Sequence, residues 1–274
     1  MIAVEDSSPG SAWIAATRRL LDESSDGRGK AHHLAVGFPA VETAPAMVAV
    51  VDRFLCGIGE PSASTVANTI FPSALYRPDD AISPRDHLYQ MHEVKMRFHR
   101  RRRSAEKETY FSRLTGTDGT NTDVGVVAVN QLEDLIVRMK RQTEVPNPKS
   151  SMYELAVSDA AGDLRVQRLD QDHSIMGFPC LSHVSVTLVS GVVHLTAQYR
   201  NQHFIRKALG NYIGLTRLCR FIAVEVGVGA GEVLCVAAHA DAEVGAGLGG
   251  KRRFLELLSE CEGKLDVGAR AGAA

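Results

Sequence analysis

Apolar residues recur at the 3.6-residue spacing of a helix in SAWIAATRRLLDES, where Trp13, Leu20 and Leu21 share a face, and SSDGRGK ends that run with turn chemistry. HHLAVGFPAV is a short apolar run around Pro39 that predicts a strand. APAMVAVVDRFLCGIG sets Met47, Val50, Val51, Phe54 and Leu55 on one helical face, with Gly57 as the cap. The Pro-, Ser- and Asp-rich stretch from Glu60 to Asp86 predicts irregular chain. Beyond it, Met91, Val94 and Phe98 predict a helix through HLYQMHEVKMRFHRRRRSAEKE. Leu132, Leu135, Ile136 and Met139 predict another through VNQLEDLIVRMKRQ, which PNPK breaks. Asp134 and Arg138 stand i,i+4 on that helix.

From Tyr153 the period shortens to two. MYELAVSD and DLRVQRL alternate as short strands. HVSVTLV, a Ser190-Gly191 turn and VVHLTAQYR together predict a hairpin. A helix from Asn211 to Val226 turns Leu215, Leu218, Ile222 and Val226 inward and stops at Gly227. GEVLCVAAHADAEV is another strand, and KRRFLELLSECEG a last helix. Residues 1–10 read as a loose N-terminus, and 265–274, low in complexity, as a flexible tail. No repeat and no linker-like break interrupts the rest. Helices mixed with antiparallel strands therefore predict a single α+β domain over residues 11–264.

Composition narrows the class. The chain has 274 residues, 45% of them hydrophobic, enough for a substantial core. Its 31 Lys and Arg nearly balance 32 Asp and Glu, so overall charge points to no nucleic-acid or membrane partner. The HRRRRS run is the one strong local charge feature, read either as a solvated helix end or as a phosphate or RNA contact. Five cysteines, odd in number and without a C-x-x-C pair, fit a reducing compartment better than a disulfide framework. MIAVEDSSPGSAW does not read as a signal peptide, and no segment reaches the roughly 18 apolar residues of a membrane span. The expectation is a cytoplasmic protein.

The candidate chemistry lies in the predicted hairpin. On its return strand Val193, Leu195, Ala197 and Tyr199 share one face, and His194, Thr196, Gln198 and Arg200 the other. The second face is either half solvated or the floor of a polar pocket. Cys180 opens the outgoing strand and Arg200 closes the return strand, so both belong to one end of the ladder. A guanidinium beside a thiol favours the thiolate, which attacks electron-poor carbon. A buried, inert cysteine is the plain alternative, and it is the expected state of Cys56, Cys219, Cys235 and Cys261, which lie in apolar patterns. His173, His183, His194 and His203 lack the spacing of a metal set, so no metal is expected.

Pro179-Cys180, YRNQH at 199–203, Asn211 and Gly214-Leu215 resemble the core of the thymidylate synthase family, which includes the pyrimidine nucleotide hydroxymethylases. Arg200 stands twenty residues beyond Cys180, as in the family pattern. VNQLEDLIVRMKRQTEVPNPKSS and the strand through VLCVAAHADAE fall in register with it. GFPAV and RFLCG are weaker landmarks. The resemblance implies a large mixed β-sheet flanked by helices, two protomers packed sheet to sheet as a homodimer, and a pyrimidine nucleotide or nucleoside as substrate. Cys180 would add to C6 of the ring, and C5 would take a one-carbon unit from 5,10-methylenetetrahydrofolate. Arg200 would activate the thiolate and hold phosphate. Asn211 would read a uracil-type amide edge, with Asn201, His239, Asp241 and Arg28 as further substrate contacts and His203 at the cofactor. As an ordinary residue, Asn211 is also a good helix N-cap.

The sequence departs from the family pattern in several places. Leu181 follows the nucleophile where a His is usual. Ser151 and Met152 stand where paired arginines reach the phosphate, and His203 stands where an Asp meets the pterin. Asp241 and Glu243 replace a His-x-Tyr pair, and Val50 falls near a proton-relaying Glu, for which Glu60 is a substitute. The sole tryptophan, Trp13, is far from any cofactor-stacking position, so hydroxymethylation is expected over reductive methylation. The alternatives are a family member acting on another substrate without folate, and a catalytically silent binding protein.

Overall fold

The computed structural model describes residues 1–24, 29–77, 83–102, 109–116, 130–157, 179–245 and 250–271. A seven-stranded mixed sheet forms its centre. The strands are β1 (Ile2–Glu5), β2 (Lys30–Pro39), β3 (Tyr153–Ala156), β4 (Leu181–Val189), β5 (Val192–Tyr199), β6 (Gln202–His203) and β7 (Gly229–Asp241). They run in the order β1-β2-β7-β5-β4-β3, and β6 continues the line of β5 alongside β7. Pairings β1–β2, β5–β7 and β6–β7 are parallel; the others are antiparallel. The helices are α1 (Pro9–Glu23), α2 (Pro45–Gly57), α3 (Ala63–Ile70), α4 (Pro84–Arg102), α5 (Tyr110–Leu114), α6 (Gln131–Thr143), α7 (Leu209–Val226) and α8 (Lys251–Ala271). The architecture is a large open mixed sheet flanked by helices.

Strand alternation decides which sheet face is covered. Leu34, Val36 and Phe38 of β2 register with Ala237, Cys235 and Val233 of β7, and these with Tyr199, Ala197 and Leu195 of β5. All nine are buried, and α1 and α7 pack against these strands. The opposite face carries Ala35, Thr196, Gln198, Leu234, Val236 and Ala238, all partly or fully exposed. The hairpin forms as its turn chemistry predicts. Ser190 and Gly191 both adopt positive φ (51° and 76°), the backbone that matches the twist of a two-residue turn.

Several expectations are corrected. Residues 1–10 are not loose: β1 lies parallel to β2, and Ser8 with Ser11 forms a capping box that starts α1 at Pro9. The tail is helical as far as Ala271. The region from Glu60 to Asp86 contains α3, whose alternating Ser and Thr disguise the buried face of Ala63, Val66, Ala67 and Ile70. Helix α2 runs through Gly57, and the left-handed residue that follows is Gly59 (φ 73°). In α4 the inward residues are Leu88, His92 and Met96, while Met91, Val94 and Phe98 are exposed. Arg85 sets that phase by pairing with Glu133 at 3.0 Å and Glu225 at 3.1 Å, and the His92 ring packs edge-on to Phe111. Cys56 is exposed, unlike Cys219, Cys235 and Cys261. The strand expected at DLRVQRL and the candidate Arg28 lie outside the described residues.

Candidate functional site

Cys180 stands half-buried immediately before β4. Leu181 pairs with Tyr199 and His183 with Gln198, so Ser182 is an extra residue in the ladder. Such a bulge re-aims the chain beside it. Arg200, just past the end of β5, is tied to the Cys180 turn twice. Its backbone N–H donates to the Cys180 carbonyl at 2.9 Å, and its Nε donates to the Pro179 carbonyl at 3.1 Å. The twenty-residue spacing thus becomes direct adjacency. Tyr110 of α5 completes this corner. Burial pushes its phenol pKa up, Cys180 adds to the shift, and the Leu181 and Cys180 backbone and Arg200 oppose it. Tyr110 carried no signal in the sequence, because contact between α5 and the hairpin is purely tertiary.

Beyond Arg200 the chain bends through Asn201 into β6, then into a π-helical turn over Phe204–Ala208 that runs on into α7. The buried Trp13 indole donates to the Phe204 carbonyl at 3.0 Å, pinning this turn from α1. Asn211 therefore caps nothing: it is the third residue of a continuous helix. It is only 5% exposed, yet its side-chain amide makes no hydrogen bond among the described residues. Its amide atoms are not among the fully buried unpartnered ones, so they keep some access and can meet a ligand.

The remaining candidates converge at the end of β6 and β7. Asn201 links two histidines, its Oδ1 2.7 Å from His239 Nδ1 and its Nδ2 3.3 Å from His203 Nε2. His203 Nδ1 lies 3.1 Å from Glu243, at an angle outside hydrogen-bond geometry. Glu243 also pairs with Arg206, and Arg206 with Glu60 at 3.2 Å. Asp241 accepts from the Glu243 backbone N–H at 2.7 Å and faces Lys30 at 3.5 Å. Lys30, His203, Arg206, Asp241, Glu243, Val244 and Gly245 line a cleft of about 430 Å³. Arg206 and Lys30 were missed by sequence reasoning; a cation three residues after the candidate His203 was the available signal. The cleft lining does not include Cys180, Arg200 or Asn211. Ser151 and Met152 are exposed near the start of β3. Among the described residues no group of three His, Cys, Asp or Glu could hold a metal ion, and no helix is long and apolar enough to cross a membrane.

Glu243 is strained as well as buried, with φ at 64° in a non-glycine residue. Burial works to raise its pKa, but His203 and Arg206 outweigh that and hold the carboxyl below its ordinary value of 4.5. A depressed carboxylate adds stability above its unfolded pKa, and that stability is lost as pH falls through the folded value. Glu243→Gln should therefore lose stability at pH 7 and show a weaker acid dependence below about pH 4.5 than the parent. Melting temperature against pH tests this, and parallel curves would refute it. The His239 pKa is also held below its ordinary value, chiefly because burial disfavours its charged form, with Asp241 opposing.

No known protein-family model matches this chain, and no curated protein matches it either.

Proposed function

We propose that this chain transfers a one-carbon unit to C5 of a uracil-type pyrimidine nucleoside or nucleotide, in the manner of the thymidylate synthase family it resembles. The observation that carries this reading is the double tether of Arg200 to the Cys180 turn, through the Cys180 and Pro179 carbonyls, at a turn whose sulfur is half-buried. Cys180 sulfur would form a bond to C6 as the C5=C6 electrons move onto C5 and O4, making C5 nucleophilic. C5 would then bond the one-carbon electrophile, or a solvent proton in simple exchange, and loss of the original C5 proton with expulsion of the thiolate would restore the C5=C6 bond. Asn211, with an unused donor and acceptor, suits the N3–H and O4 edge of uracil.

The donor implied by the resemblance is 5,10-methylenetetrahydrofolate. Both ring nitrogens of His203 face Asn201 and Glu243, so this residue does not fit a pterin contact, and no step is assigned through the folate. Within the cleft Lys30 is paired with Asp241 and Arg206 with Glu243 and Glu60. That pairing favours an unphosphorylated nucleoside over a nucleotide. It also favours the second reading, a silent binding protein whose polar groups satisfy one another. Alkylation separates the two: iodoacetamide should modify Cys180 near pH 7, and uridine should slow that reaction. Labelling that uridine, UMP and dUMP all leave unchanged would count against the enzyme.

The same reading includes a homodimer joined through the open sheet face, where Ala35, Leu234, Val236 and Ala238 form an apolar band. Leu234→Glu with Val236→Lys places charge in that band and should yield monomers by sedimentation velocity. A parent chain that already sediments as a monomer would remove this part of the proposal.

A further inference from the structure

A second pocket, of about 280 Å³, opens between the Val41–Thr43 segment, α2, α3 and α7. Its walls include Val41, Pro45, Val48 and Ile213, and its polar residues are Glu42, Thr43, Asp52, Ser64, Thr216 and Arg217. None of these was needed for the chemistry at Cys180. The charges can be assigned one by one. Glu42 pairs with Arg220 at 2.6 Å, and Asp52 accepts from the Ala63 backbone N–H at the start of α3 at 2.7 Å. Arg217 donates to a neutral partner, the Asn68 side-chain Oδ1 at 3.3 Å; burial works against its charged form, and Glu42 partly offsets that. A half-buried guanidinium whose direct hydrogen-bond partner is neutral, and whose neighbour Glu42 is already paired with Arg220, can take an anion.

Two hydroxyls point the same way. Thr17 and Thr115 each bond back to a carbonyl four residues earlier, at 2.6 and 2.9 Å, the usual recourse of a helical threonine. Thr216 makes no such bond. Its Oγ1 and that of Thr43 are buried without a partner among the described residues, in residues 4% and 9% exposed that both line this pocket. Buried polar atoms are rarely left unpaired, and those that are call for a reason.

We propose that this pocket binds a small organic carboxylate, with Arg217 taking the carboxylate, Thr43 and Thr216 supplying hydroxyl donors, and Val48 and Ile213 holding an apolar body. The volume sits at the small end of ligand sites, which suits a monocyclic or short branched acid and not a nucleotide. The neighbouring carboxylates of Glu42 and Asp52 disfavour a dianion, so a monocarboxylate is preferred over phosphate.

Benzoate is the probe, measured by calorimetry on the full chain, with benzamide and inorganic phosphate as comparisons. Benzoate should bind one to one, Arg217→Gln should weaken it about tenfold or more, and Arg217→Lys should recover part of the loss. Thr216→Val should weaken it severalfold, and Cys180→Ala should leave it unchanged, which keeps this site separable from the pyrimidine reading. Absence of benzoate binding at about 10 mM overturns the proposal. So does equal affinity for benzamide, or a phosphate affinity matching that of benzoate. If Arg217→Gln fails to fold by circular dichroism, Thr216→Val decides: benzoate affinity equal to the parent overturns the assignment.

Discussion

Cys180→Ala should abolish exchange of the C5 hydrogen of uridine or UMP with solvent, a loss of about a thousandfold or more, while leaving the fold intact. The size follows from the chemistry: without a nucleophile at C6 the C5–H bond is not acidified, and removing a covalent catalyst costs several orders of magnitude. The fold should survive because Cys180 is half-buried before β4, and what anchors Arg200 there is backbone, the Cys180 and Pro179 carbonyls. Exchange needs only addition to the ring, so mass spectrometry of substrate deuterated at C5 reads it with no one-carbon donor present. Arg200→Lys should lower the rate by about ten- to a hundredfold, since an ammonium cannot reproduce the Nε contact to Pro179 and lacks the planar guanidinium. Exchange at the parent rate in Cys180→Ala would end the proposed mechanism.

Gly210→Ala should be among the most destabilising single-carbon additions to this chain. A Cβ at 210 would lie 2.5 Å from Val66 Cβ and 2.7 Å from the Ala63 carbonyl oxygen. Gly214 faces the same helix, with the Ala67 oxygen at 2.8 Å and Ile70 Cβ at 2.9 Å. Both obstacles include backbone, so α3 and α7 must move apart instead of a side chain turning aside. Overpacking of this kind costs about 1–3 kcal/mol, and the close backbone contacts place each variant at the upper end. In a chain of this size that is a fall in melting temperature of roughly 5–10 °C. Gly57→Ala, where an added Cβ meets nothing within 4 Å, is the control and should melt within about 1 °C of the parent or slightly above it. A Gly210→Ala variant as stable as that control would mean α3 does not seat on α7. Because Asn211 is the next residue, the same movement should also weaken pyrimidine binding.

Some of the molecule was legible because its signal is local. Two-residue alternation across the Ser190-Gly191 turn fixed the hairpin and the inward side of Val193, Leu195, Ala197 and Tyr199, all of which are buried. Amphipathic spacing fixed α1, α2, α6 and α7. The periodicity in α4 was real but its phase misled: Met91 and Val94 made the better apolar stripe, yet Arg85 needed Glu133 and Glu225, and that requirement rotated the helix. Helix α3 escaped notice because small residues suffice to bury a helix whose neighbour is lined with glycine.

At the candidate site, adjacency of Cys180 and Arg200 could be read from hairpin logic, since strand pairing converts a sequence interval into a distance. The convergence of Asn201, His203, His239 and Asp241 was expected only by resemblance, whereas the carboxylate and cation that bind them together, Glu243 and Arg206, follow from β6 lying along β7. Sequence by itself determined the period of each element, the turn that closes the hairpin and the charge balance, because these depend on neighbours a few residues away. Tertiary structure alone decided that Asn211 sits inside a helix, that among the described residues Ala35, Leu234, Val236 and Ala238 share the more exposed sheet face and that Arg217 meets the neutral Asn68 amide. Those facts depend on which distant groups arrive to satisfy a polar atom, and no local pattern encodes who arrives.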